Sequence, residues 1–370
     1  MTLRSVKSLL VAAFSLLSVF FYYASMAQPK EHETHEQANA DHKEGHSEKF
    51  NAGESILHHI ADSHEFHFFT LGEKHFTMPL PVIVYSPQRG LSVFSSSKFE
   101  EGEVAYNGYK LEHDKIVAVD ANGAVDESVK AYDFSITKNV FQMLLAVILL
   151  IWIMTSIAKK YKAQGHNVAP SGFQNAVEPV ITFVRDDVAK PNLGHKYEKY
   201  MPYLLTVFFF ILINNIIGLI PGSANVTGNI AFTALLAVIS FIVIMISTNG
   251  HFWGHIFWPP GVPFLVKLIL IPVELLSIFI KPAALMIRLF ANMTAGHIVI
   301  LSFVSLIFIF GQMATVAGWG FTPVSIAFSV FIYFIEILVA FIQAFIFTNL
   351  TAVFIGQAFE GEHHDEAHAH

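Results

Sequence analysis

Lys281–His297, KPAALMIRLFANMTAGH, sets Arg288 in the middle of a long apolar run. A guanidinium at bilayer depth is costly, so an arginine there points to function by default. Apolar residues continue from Pro263 to about Phe310, and Lys267, Glu274, Lys281 and Arg288 are the only formal charges among them. These four recur every seventh residue. Seven residues are nearly two helical turns, so the four charges form one stripe that drifts by roughly 20° per step. A single helix over this interval would be roughly 70 Å long, against a hydrocarbon core of about 30 Å. It must tilt strongly, kink at Pro272 or Pro282, or run partly along the interface, with its polar seam turned to a protein partner or water.

Composition agrees with a membrane setting. Of 370 residues 54% are hydrophobic and 14% charged, with a mean hydropathy of +0.52, too apolar for an ordinary soluble domain. The apolar runs are continuous rather than alternating, which excludes a porin-like barrel. The absence of cysteine excludes disulfides, thiolate metal sites and a cysteine nucleophile. A net charge of −7 is no footprint for nucleic acid.

Residues 1–27 read as a secretory leader: Arg4 and Lys7, an apolar stretch from Leu9 to Tyr23, and Ser25-Met26-Ala27 as a small-residue cleavage site. An exported region follows over 28–139. Its first part carries His32, His35, His42 and His46 among charged residues, then His58, His59, His64, His67 and His75. Imidazoles can ligate Zn²⁺, but the spacing is irregular, so both a solvated arm and a metal-binding arm stay open. From Phe76 to Phe134, alternating segments between Pro-Gln-Arg-Gly and Asn-Gly turns predict a small β-rich element.

The first span is expected at Val140–Ala158, and Lys159, Lys160, Lys162, Arg185, Lys190, Lys196 and Lys199 follow it. The positive-inside rule puts that connection in the cytoplasm. Within it, Phe173–Val188 predicts an interfacial helix. Further spans are expected at Tyr203–Ile220, which holds Asn214 and Asn215, and at Ile230–Ile246. His251 and His255, four apart, lie in an aromatic stretch that suits a membrane interface or, less simply, a metal pair. After the long helix a Gly-rich turn is expected over Gly311–Pro323, then a last helix over Val324–Ala358 bearing Glu336, Gln343 and Asn349. Residues 359–370 form an acidic, histidine-rich tail, expected in the cytoplasm. The expected fold is an all-α polytopic membrane protein with five transmembrane helices and a long tilted final hairpin, preceded by the exported β-rich region. Facing polar seams on the last two helices would make a buried hydrophilic path through residues 140–358.

The polar residues divide by chemistry. Arg288 stays charged at any working pH, so it is a fixed positive post that would draw the proton from an approaching carboxylic acid and repel a passing proton. His297 and Glu336 can take up and release protons. Asn292, one turn from Arg288, shares its face and offers neutral hydrogen bonds, as does Gln343, two turns from Glu336. One acid, one histidine, one arginine and two amides on adjacent helices suggest ion translocation, although packing or helix-to-helix hydrogen bonding would use histidine and amides too.

KPAALMIRLFANMTAGH followed by IEILVAFIQAFIFTNLTAVFIGQA, with the weaker FQNAVEPVITFV and LLTVFFFILINNIIGLIPG, resembles subunit a of the F-type ATP synthase over about Phe141–Ala358. The resemblance implies a stator proton channel with no catalytic site and no cofactor, in a bacterial inner membrane. Its implied partners are the c-ring, the peripheral-stalk b subunits, membrane lipid and, indirectly, the soluble ATPase sector. Arg288 matches the stator arginine that faces the c-subunit carboxylates, Asn292 its neighbouring amide, and Glu274 an acidic position of the cytoplasmic half-channel. His297, Glu336 and Gln343 fall among polar positions of the outer half-channel, with the acid and histidine exchanged relative to many bacterial members. The arm before residue 140 is not part of the common family core. Two other classes compare poorly: a metal-cation transporter needs paired intramembrane ligands and often internal repeats, and an intramembrane hydrolase needs a Ser–His setting that the chain lacks. No phosphate-binding G-x-x-x-x-G-K-[ST] loop is present.

Overall fold

The computed structural model describes residues 53, 62–71, 74–102, 104–112, 114–120, 123–126, 128–164, 172–220, 222–258, 263–313 and 315–359. The expected leader, most of the histidine-rich arm and the acidic tail lie outside them, as do the side chains of His251 and His255. Two compact units are distinguished, Asp62–Thr294 with Ile335–His370, and Met1–Ala61 with Ala295–Phe334.

The first unit opens with three small antiparallel sheets. Strand β1 (Glu65–Leu71) pairs with β2 (Lys74–Pro79). Strands β3 (Pro81–Ser86), β4 (Gly90–Ser95) and β7 (Tyr132–Asp133) lie in the order β4-β3-β7, while β5 (Tyr109–Glu112) and β6 (Lys115–Ala118) form a hairpin. The Pro87-Gln88-Arg89-Gly90 turn closes β3 on β4, and Gly90 has φ of 75°, a conformation that glycine adopts without a Cβ clash. Alternation along β3 sends Val82 and Val84 inward to a core with Phe99, Tyr109, Ile116 and Ala118. Arg89 ties the turn to the β5–β6 hairpin, donating to the carbonyls of Gly108 and Val119.

The β element continues into the first helix without slack. Beyond β7, Phe134 N–H donates to Ile83 O at 2.8 Å and Ile136 N–H to Pro81 O at 3.1 Å. Helix α1 (Lys138–Gln164) then begins. Its first N–H groups, which a helix cannot satisfy internally, are taken by the residues leading into β1. Lys138 N–H donates to Ser63 O at 2.9 Å, and Asn139 N–H to the Asp62 carboxylate at 3.2 Å.

Helix α2 (Phe173–Phe183) packs Val177 into the membrane core. The interfacial helix expected to Val188 ends early, because the chain widens into a π turn over Val184–Ala189 before the short α3 (Lys190–Leu193). There Lys190 N–H reaches back five residues to Arg185 O. Pro191, with no N–H to give, makes the ordinary four-residue ladder impossible at the next step. A short turn leads into α4 (Tyr197–Gly218), then come α5 (Ile230–Ile246), α6 (Gly250–Phe257), α7 (Phe264–Met313) and α8 (Thr315–Phe359). In this unit the core joins Ile153 of α1, Leu204 and Phe208 of α4, Leu236 of α5, Leu285 and Leu289 of α7, and Ala344 and Ile355 of α8.

Among the described residues four helical stretches are long and apolar enough to cross a membrane: Lys138–Ala163, Phe173–Gly218, Phe264–Gln312 and Gly320–Phe359. The expectation of five is therefore corrected. The fifth was α5, whose 17 residues give about 25 Å at ~1.5 Å per residue, short of a hydrocarbon core of about 30 Å. Within its unit α5 still carries the chain from one end to the other. Gly228 O, just before it, accepts from the Thr294 hydroxyl, and Asn249 N–H, just after it, donates to Ala358 O.

Helix α7 runs unbroken for 50 residues with Pro272 and Pro282 inside it. The Gly-rich turn expected over Gly311–Pro323 is much shorter than expected: α7 runs to Met313, and α8 starts at Thr315 and takes Pro323 into the helix. A helical glycine costs only about 1 kcal/mol against alanine, whereas backbone groups freed in an apolar medium lose all their partners. The helical state wins. In the second unit the tip of these two helices is fastened by the Ser325 hydroxyl donating to Phe303 O, by stacked Phe303 and Phe328 rings 5.4 Å apart, and by Phe310 against Phe321 at 4.5 Å.

Candidate functional site

Along α7, Leu285, Leu289 and Met293 recur every fourth residue and are buried, which fixes the helix's inward face. Arg288 and Asn292 fall on the other side and are exposed, together with Ala283, Ala284, Ile287 and Ala291. Among the described residues Arg288 makes no ion pair. Glu274 is half-buried on the same helix, fourteen residues away and hence about 21 Å along the axis, too far to pair with it. The drift of the seam is visible in burial: Lys267 is buried, with Nζ 4.0 Å from the Trp258 ring centre, and Lys281 is half-buried and donates to Gln357 at 3.0 Å.

Helix α8 is arranged the opposite way. Glu336 is 8% exposed and Gln343 4% exposed, seven residues apart on one inward face. The Glu336 atom Oε2 has no hydrogen-bond partner among the described residues. Between these two residues, Ala340 O accepts from the Asn215 side chain of α4 at 3.2 Å. Further along, the Thr348 and Thr351 hydroxyls bond back to Ala344 O and Phe347 O. They satisfy themselves within the helix.

The expectation of facing seams on the last two helices is thus corrected. Arg288 and Asn292 point out of their unit, and Glu336 and Gln343 point in, because the leucine and methionine face of α7 is the one that packs. His297 is half-buried and belongs to the second unit. Asn349, carried by α8 nearer its end, joins the Asn192 amide at 2.9 Å. Among the described residues no three His, Cys, Asp or Glu side chains gather in a way that could hold a metal ion.

Polar groups that sequence reasoning passed over sit around the first site helices. Gln142, in the first turns of α1, is 1% exposed and accepts from Ala224 N–H at 2.8 Å. Asn225 caps the turn before α5 by accepting from Gly228 N–H, and its amide donates to Met293 O, next to Asn292. A lone glutamine in an otherwise apolar span was the available signal for Gln142. For Asn225, in a loop, sequence offered none.

At the junction of the β element with α1, Nε2 of His64 lies 2.7 Å from the Asp133 carboxylate, and His64 is 3% exposed. Burial works to raise the Asp133 carboxyl, but the hydrogen bond and charge of His64, with Ser135, outweigh it and hold the group below its ordinary value. Asp62, more deeply buried, is pushed up by desolvation despite the Asn139 N–H that it accepts.

Comparison with known proteins gives the site its setting. A family described as ATP synthase A chain matches residues 140–356, and one described only as a domain of unknown function matches 55–148. ATP synthase subunit a of Chloroherpeton thalassium is 49% identical over 65% of this chain and 72% of its own length. ATP synthase subunit a 2 of Prosthecochloris aestuarii is 38% identical over 94% of this chain and 91% of its own. ATP synthase subunit a of Myxococcus xanthus is 39% identical over 64% of this chain. The first match runs from α1 into α8, so it covers the membrane helices, and the Prosthecochloris relative extends through most of residues 28–139 as well. The chain belongs to the ATP synthase A chain family, a non-catalytic, multi-pass membrane subunit in the machinery of proton transport and ATP synthesis.

Proposed function

We propose that this chain is the stator proton channel of a rotary F-type ATP synthase, with residues 140–358 as the channel domain. The carrying observation is the arrangement at mid-helix on α7. Arg288 is exposed on a face shared with Ala283, Ala284, Ala291, Asn292 and one bulkier side chain, Ile287, and makes no ion pair among the described residues. A surface with a fixed guanidinium and little side-chain bulk suits close passage of another helix bearing a carboxylate, as a c-ring presents.

In this reading a proton from outside passes the relay groups Glu336 and His297, with Gln343 as a hydrogen-bonding neighbour, and is handed to a c-ring carboxylate. The ring carries it round, and it leaves near Glu274. Arg288, steadied by Asn292, separates the two half-channels: its charge deprotonates each arriving carboxylic acid and bars a direct return. The drive is about 2.3 kcal/mol per charge for each 100 mV, plus the pH gradient. The b subunits of the peripheral stalk hold the chain against rotation.

The lysine-rich connection 159–200 faces the cytoplasm by the positive-inside rule. The Asn192–Asn349 pair and the Asn249–Ala358 hydrogen bond support putting the end of α8 on that same side, with residues 28–139 exported and 1–27 a leader.

Isolation from the native membrane in mild detergent tests the assignment. Recovery with a small two-helix ring protein and a soluble ATPase sector, identified by mass spectrometry, is the expected result. Recovery alone, with Zn²⁺ held in stoichiometric amount, would turn the reading to metal transport.

A further inference from the structure

Gln142 is the one strongly polar side chain between Phe141 and Trp152, and it is almost fully buried. Its carbonyl oxygen is used by Ala224 N–H. Its Nε2 has no partner among the described residues and lies beside Gly218, where an added Cβ would come within 4.0 Å of it. A buried amide with both donors idle is costly, and an apolar side chain would remove the cost.

The idle donor has counterparts. Asn214 and Asn215 of α4 are fully buried, and their amide nitrogens donate to Phe210 O and Ala340 O. Their Oδ1 atoms accept nothing among the described residues, and the same holds for the Thr227 hydroxyl and for Oε2 of Glu336. The contacts order these groups. Gln142 adjoins Gly218, Asn215 lies one turn back along α4, Asn215 bonds to Ala340 on α8, and Glu336 lies one turn before Ala340. Donors at one end and acceptors along the rest form the lining that a chain of water molecules satisfies, since each water both donates and accepts.

We propose that Gln142 marks the mouth of a hydrated path that crosses α4 at Asn215 and delivers protons to Glu336. Gln142 is then a positioning residue for the water at that mouth. The inference rests on the reading of Glu336 as a relay group, and deepens it by naming the route and a residue of α1.

The test uses the assembled ATP synthase in sealed vesicles, with ATP synthesis driven by an imposed proton gradient. Gln142→Leu closes the mouth and slows synthesis by roughly tenfold, about the effect of one lost hydrogen-bonding partner at a buried site. Gln142→Ser loses the same bond to Ala224 but leaves room for water, and keeps most of the rate. Equal rates for the two variants, both impaired or both normal, overturn the proposal. Should Gln142→Leu not assemble, Gln142→Cys decides. The chain has no native cysteine, so silver ion added at the exported face should block this variant and spare Ile148→Cys, whose side chain is on the exposed face of α1. A silver-insensitive Gln142→Cys overturns the proposal. Glu336→Gln in the same assay separates the two levels. If it is slow while the Gln142 variants behave alike, the route alone is wrong; if it is normal, the relay reading falls and the route with it.

Discussion

The side-chain amide of Asn215 on α4 donates to the backbone carbonyl of Ala340 on α8 at 3.2 Å, one helical turn from Glu336. It fixes the height of Glu336 against the neighbouring helix. Asn215→Leu removes that bond, and hydrogen bonds between membrane helices are worth roughly 0.6–2 kcal/mol. The assembled complex should melt at a lower temperature in detergent, followed by tryptophan fluorescence; an unchanged melting curve would show that the bond does not hold the helices together.

Arg288→Lys keeps the charge but not the flat, branched donor geometry. Proton flux coupled to ATP hydrolysis, read with a pH-sensitive dye in sealed vesicles, should drop by roughly a hundredfold or more, as for other lost electrostatic clamps. Wild-type coupling in this variant would sink the mechanism.

Glu336→Gln preserves size and one acceptor but cannot carry a proton. Assembly should be normal and gradient-driven ATP synthesis should fall about a hundredfold, the lower range for loss of an acid–base group. Normal turnover would remove Glu336 from the path.

Gly356 packs directly on the backbone carbonyl of Asn192, which leaves no space for a Cβ. The obstacle is main chain, so it cannot swing aside. Gly356→Ala should cost roughly 1–3 kcal/mol, as overpacking does elsewhere, and reduce the yield of assembled complex. A fully stable variant would mean that α3 and α8 separate easily.

Asp133 is held below its ordinary carboxylate value by His64. A depressed carboxyl stabilises the folded state above its ordinary value of 3.8, and the contribution fades as pH falls through the lowered one. Asp133→Asn should therefore speed amide exchange at Lys138 and Asn139 at neutral pH, while variant and wild type converge in strong acid. Asp62 has the opposite sign: its raised value makes burial a cost as pH rises past 3.8. Mass-spectrometric hydrogen exchange across pH measures both. A difference that persists undiminished in strong acid would rule out the ionic origin.

The sequence showed the membrane class, the helix carrying Arg288 and the β3–β4 hairpin, because periodicity and turn chemistry are local. It placed Ile230–Ile246 to the residue but took it for a full span, since apolarity is easier to read than length. It spread a turn over the whole of Gly311–Pro323, where glycine and proline are usually breakers; helix takes 311–313 and 315–323 instead, because in an apolar medium the backbone has nowhere better to go. It set Arg288 and Glu336 on facing seams, yet which side of α7 packs is decided by Leu285, Leu289 and Met293 competing with the polar stripe, and that is a tertiary outcome. Gln142 showed only as a lone glutamine in an apolar span; its significance comes from Gly218 and Ala224, more than seventy residues away.

Four residues, Phe134 to Thr137, join β7 to α1, and two of the hydrogen bonds across this splice are backbone bonds to β3. These bonds leave no hinge at the splice, so the β element turns with α1 as one body. Strand β3 extends from the splice by six residues, about 20 Å at ~3.3 Å per residue. It is a built-in pointer. A fluorophore or spin label at the β3–β4 turn would magnify a few degrees of α1 tilt into a displacement of an ångström or more, and would do so outside the membrane, where a working rotary complex can be watched without touching its proton path.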